Sequence, residues 1–163
     1  MNWGKVAAVA LLGSTVAAGA GMWYAQEYLY YDPIDPNGPG AAIALATEGG
    51  ARDLPLTGFE GIDADSSPLR WRACATVDQA ALDGLMAGAL PFDGATPLNA
   101  PRWFACFDAA RIGGDLESGA ARAVLSVSDI RPDVDRVLAV YPDGRVYGWH
   151  QYNDKTPERG VMD

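Results

Sequence analysis

The stretch Val134–Tyr152, VDRVLAVYPDGRVYGWHQY, decides the fold. Two runs rich in β-branched and aromatic residues, Val134–Tyr141 and Arg145–Tyr152, flank Asp143-Gly144. That dipeptide readily takes the positive φ angles of a tight hairpin turn. The stretch therefore reads as two antiparallel strands, and the rest of the chain is read as what packs against them.

Outward from the hairpin, Ala121–Val127 reads as a further strand. Leu69–Thr76 (LRWRACAT) alternates, with Leu69, Trp71, Ala73 and Ala75 on one side and Arg70, Arg72, Cys74 and Thr76 on the other. Ala42–Thr47 reads as a first strand and 49–61 as turn-rich chain. Asp78 is placed to cap a helix reaching about Ala89, with Ala81, Leu82, Leu85 and Met86 at helical spacing. Pro91–Pro101 reads as a loop. A second helix is expected from Pro101 to about Ile112, then a helical turn at Asp115–Ser118. The expectation is an α+β domain: an antiparallel sheet of four or five strands with two helices on one face.

At the other end, Val6–Ala25 carries no charged residue. Roughly twenty apolar residues suffice to cross a hydrocarbon core. Trp3 precedes the run, and Trp23, Tyr24, Tyr28, Tyr30 and Tyr31 follow it, as interfacial aromatics do. Lys5 lies before it, and Arg52 is the first basic residue beyond it. The positive-inside rule then puts the N-terminus in the cytoplasm and the bulk of the chain on the periplasmic side of the inner membrane. The rival reading is a signal peptide cleaved near Ala18-Gly19-Ala20. Gly13, Ala17 and Gly21, four apart, make a smooth helix face for a partner helix. The organisation expected is 1–31 for N-terminus and anchor, 32–40 (DPIDPNGPG) for a Pro/Gly-rich linker, and 41–163 for the periplasmic domain.

Composition narrows the function classes. The 163 residues carry a formal net charge of −9, which disfavours binding to nucleic acid. Hydrophobic residues make up 49%, enough for a packed domain rather than a disordered tail. Cys74 and Cys106 are the only cysteines, and in an exported domain they read first as a disulfide. His150 is the only histidine. With the two cysteines it has the donor chemistry of a soft metal site, but no spacing supports one, and no metal or cofactor is expected. A histidine base lacks a G-x-S-x-G partner, and 63–74 lacks the glycine and glutamate of a calcium loop. Arg70, Arg72, Arg145, Trp149 and His150 are the candidates for an interaction surface, since arginine and tryptophan concentrate at binding hot spots. Solvated arginines over a tryptophan core is the plainer alternative.

Four stretches together carry a resemblance: Tyr28-Leu29-Tyr30-Tyr31 after the apolar run, IDADSSPLRWRAC, APRWFACFDA and VDRVLAVYPDGRVYGWHQ. In these the chain resembles an alphaproteobacterial family of short membrane-anchored proteins with a domain of unknown function. The resemblance implies location and architecture and no activity. Members often carry the label of histidine kinase, which the residues here oppose. The one histidine falls on an expected strand, not a dimerisation helix, and too little chain remains for an ATP domain. The expected function is a non-enzymatic accessory or assembly protein of an envelope complex, of the respiratory or photosynthetic kind, with a protein partner. A periplasmic sensor or ligand-binding module is the alternative, and a thiol/His metal chaperone the third reading.

Overall fold

The computed structural model describes residues 2–153, which divide into two units between Tyr31 and Asp32. The first is helix α1 (Trp3–Tyr24), continued by a wider π-type turn through Ala25–Leu29. It is long and apolar enough to cross a membrane. The Ser14 and Thr15 hydroxyls both donate to the Leu11 carbonyl at 2.9 Å, so these two polar groups are satisfied within the helix.

The second unit is α+β. Its main sheet has six antiparallel strands, one or two more than expected: β1 (Asp32–Pro33), β4 (Thr57–Asp63), β5 (Arg72–Thr76), β8 (Arg145–Tyr152), β7 (Val134–Val140) and β6 (Arg122–Arg131), in that spatial order. A separate hairpin joins β2 (Ala44–Thr47) to β3 (Gly50–Asp53). The 49–61 stretch read as turns thus holds β3 and most of β4. β3 is short and exposed, and a bulge interrupts β4 near Gly58, so alternation is lost. Strand β5 is paired only from Arg72, because Asp65–Arg70 turns.

The 32–40 stretch is not free chain throughout. Asp32 and Pro33 pair with Asp63 and Ile62, and Ile34 N–H donates to the Gly61 carbonyl. Proline is tolerated there because β1 is an edge strand.

The 134–152 hairpin forms in the register the turn dictates, Val140 opposite Val146 and Leu138 opposite Gly148. Gly144 has φ +90° and gives its carbonyl to Val77 N–H; a Cβ there would collide with the Val77 carbonyl oxygen. One face of the sheet buries Trp71, Ala73, Val124, Leu138, Val140 and Val146 with Ile43 and Leu45 of the β2–β3 side. Helix α2 (Gln79–Met86) covers this face through Leu82, and Asp78 caps it by accepting from Ala80 N–H at 3.0 Å. Residues 89–91 stitch β2 to β6, Leu90 bonding both Ala46 and Leu125, while Ser126 Oγ donates to the Ala44 carbonyl at 2.6 Å.

The opposite face carries Cys74, Val137, Ala139, Tyr147 and Trp149, alternate residues of the same strands. Helix α3 (Ala109–Glu117) lies on this side: Arg111 meets the Tyr147 ring and Asp115 accepts from Tyr141 Oη at 2.6 Å. The two helices therefore cover opposite faces, not one. The helix expected over 101–112 begins only at Ala109, where Asp108 caps it by accepting from Arg111 N–H. Residues 101–107 are consecutive turns, whose i, i+1, i+4 aromatics Trp103, Phe104 and Phe107 imitate helical spacing. The turn expected at Asp115–Ser118 is the end of the same helix. Residues 154–163 of the expected domain lie outside the described residues.

Candidate functional site

The residues singled out in the sequence do not gather into one surface. Cys74 and Cys106 are joined as a disulfide, 32 residues apart, tying β5 to the turns before α3. Arg72 is buried and held by main-chain carbonyls: Nε donates to Leu98, Nη1 to Leu69 and Trp71, and Nη2 to Asn99. It is a clamp on the 91–101 loop. Trp149 is fully buried, and its Nε1 donates to Gln151. Arg145 sits beside the hairpin turn, paired with Asp143 at 2.8 Å and lying over the Tyr141 ring. Arg70 is half-buried in the chain leading to β5. Gly13 and Gly21 of α1 carry no side chain, so that helix face is smooth.

His150 is different. It is buried on the face opposite Trp149, and the sheet register sets it directly across from Arg136 of β7. The Arg136 Nε–H donates to His150 Nε2 at 3.1 Å, and the Arg136 guanidinium lies 4.0 Å from the centre of the Trp71 ring. Trp71 in turn stacks on His150, with centroids 5.0 Å apart and planes 16° off parallel. The ring fits because residue 148 is glycine: a Cβ there would come within 2.7 Å of Trp71.

Electrostatics follow from this packing. Since an arginine can only donate, His150 Nε2 must be a lone pair, and Nδ1 carries the hydrogen that goes to the Pro68 carbonyl at 2.8 Å. Burial, then the positive charges of Arg136, Arg72 and Arg131, push the His150 pKa down to about 4. Burial likewise lowers Arg136 to about 10, against the pull of Asp63. Asp63 itself is raised, mainly by burial.

Two small cavities meet here and share Asp63, Arg131 and His150. One, of about 250 Å³, adds Ile34, Gly40, Trp71, Ile130 and Arg136; the other, of about 230 Å³, adds Ala64, Asp65, Ser67 and Pro68. Chemically the place offers cations, one neutral imidazole and two carboxylates. Both ring nitrogens of the imidazole are already bonded.

Arg136 was not singled out by sequence reasoning, yet a signal was present. Counting back from the turn places 136 opposite 150, and an arginine in the row Val134, Arg136, Leu138, Val140 interrupts a core-facing pattern. Among the described residues no group of three His, Cys, Asp or Glu side chains is placed to hold a metal ion.

No curated protein and no solved structure matches the chain. A family of unknown function, DUF6446, matches residues 41–159, most of the second unit and well over half the chain. The chain belongs to the DUF6446 family.

Proposed function

We propose that this chain is a non-enzymatic accessory or assembly protein of an envelope complex, of the respiratory or photosynthetic kind. Helix α1 anchors it in the inner membrane, and its domain lies on the periplasmic side. One observation carries the non-enzymatic reading: the groups best suited to chemistry are committed to structure. Cys74 and Cys106 bond each other, and both nitrogens of His150 are taken by Arg136 and Pro68. A base with no free lone pair and thiols with no free sulfur do not serve general-base or nucleophilic catalysis. The anchor supplies the docking element, since Gly13, Ala17 and Gly21 let a second helix approach closely. Charge asymmetry, Lys5 before the span and no basic residue until Arg52, supports the orientation.

The test is purification of the full chain in a mild detergent followed by native mass spectrometry. A stable hetero-complex is expected, and Gly13→Ile with Gly21→Ile should disperse it while the domain stays folded. Recovery of the chain alone, at monomer mass, sinks the proposal.

A ligand-binding module is the second reading. The paired cavities at Arg136 and His150 favour it.

A further inference from the structure

We propose that the cavity at Arg136 binds a small monocarboxylate, gripped by the two terminal nitrogens of the guanidinium. This rests on the ligand-binding reading and names the ligand class for the same site.

The guanidinium is set in place before any ligand arrives. Its central carbon lies 4.0 Å from the centre of the Trp71 ring, and its Nε is used by His150 at 3.1 Å. Fixing Nε leaves the Nη1/Nη2 edge as a rigid fork, the arrangement that pairs two N–H donors with the two oxygens of a carboxylate. Among the described residues that fork makes no hydrogen bond. The ion pair of Arg145 with Asp143 lies elsewhere, at the hairpin turn. Asp63 influences Arg136 from a distance but lies beyond ion-pair range, and its Oδ1 accepts from Ala64 N–H instead. A partly desolvated cation without a counter-ion is costly, and an anion from outside would relieve the cost. The Trp71 Nε1–H, on the ring that carries the guanidinium, is also buried without an acceptor among the described residues.

The walls narrow the class of anion. Ile34 and Ile130 offer an apolar side to a short hydrocarbon tail. Asp63 and Asp65 line the joined space and repel a second negative charge, which disfavours phosphate and dicarboxylates. At about 250 Å³, the cavity falls below the roughly 300–1,000 Å³ that holds drug-sized ligands, so the occupant has few heavy atoms. Arg131 faces the same space and adds a second positive charge.

The experiment titrates the full ¹⁵N-labelled chain in detergent micelles with sodium acetate, sodium butyrate and sodium phosphate at constant ionic strength. The Trp71 indole and His150 imidazole signals are followed. Saturable shifts are expected, with butyrate tighter than acetate and acetate tighter than phosphate. Arg136→Lys keeps the charge, loses the fork, and should weaken butyrate by about ten-fold, the scale of one charge-assisted hydrogen bond. Arg136→Met keeps the stem over Trp71 and should abolish the shifts. Should the methionine variant fail to fold, the lysine variant and the wild-type ranking still decide. Phosphate binding tighter than acetate, or unchanged butyrate affinity in Arg136→Lys, overturns the monocarboxylate class. No saturable response to any of the three anions overturns the ligand-binding reading itself.

Discussion

Arg136 and His150 face each other across β7 and β8, and the single hydrogen bond from Nε to Nε2, at 3.1 Å, fixes which tautomer the histidine adopts. Protonating the ring would set a second N–H against the first and bury a charge among Arg136, Arg72 and Arg131. The chain's only histidine is thereby built to stay neutral.

That arrangement makes stability acid-sensitive. The folded pKa, about 4, is depressed below the ordinary 6.5, so the histidine's contribution is complete above 6.5 and is lost as pH falls toward 4. Asp63, raised by burial, works in the opposite direction over part of this range. Comparison with His150→Gln removes the Asp63 effect. Between pH 6.5 and 4 the wild type should lose about 3 kcal/mol more than the variant, as measured by denaturant unfolding. Parallel profiles for the two proteins would refute the neutral, buried imidazole.

Gly148 is where the sheet makes room for Trp71. A methyl group there meets the indole at 2.7 Å and Leu138 at 3.0 Å, and neither is the loose end of a flexible chain. Gly148→Ala should cost about 1–3 kcal/mol by overpacking and should disturb the His150 ring signals. Wild-type stability in this variant would mean that the indole does not lie across β8.

Gly84 predicts the reverse. It sits inside α2, and an added Cβ meets nothing within 4 Å. Gly84→Ala should stabilise the domain by about 0.5–1 kcal/mol, through helix propensity and a less flexible unfolded chain. Thermal unfolding would show a raised midpoint. A lowered one would mean that α2 is not helical at that position.

The disulfide should matter more than any surface pair. Closing a loop of 32 residues constrains the unfolded chain by about 3–4 kcal/mol on the chain-entropy account. Cys74→Ala with Cys106→Ala should lower stability by that order. The exposed Arg145–Asp143 pair, removed by Arg145→Met, should change it by no more than about 0.5 kcal/mol. Equal effects from the two changes would count against the bond.

Much of the domain was legible because its strongest signals are local. Asp143-Gly144 set the hairpin, and Asp78 marked a helix start that the structure keeps. What escaped depended on distant partners. Thr57–Asp63 becomes a strand because β5 lies beside it, not because of its own alternation. Trp103, Phe104 and Phe107 are spaced like a helix, yet Asp108 starts one only after them. Arg72 looked like a surface residue because nothing in sequence shows that the 98–99 carbonyls arrive to hold it. The Arg136–His150 pair was within reach by counting from the turn. Its importance comes from Trp71, which enters from the residue just before β5, more than sixty positions earlier.

The bond between Cys74 and Cys106 spans α2 and the long loop after it. A protease that cuts once anywhere between those cysteines severs the backbone without releasing a fragment. The two pieces stay one molecule of unchanged apparent mass until a reductant is added. Damage to that stretch would be invisible on a non-reducing gel and plain on a reducing one.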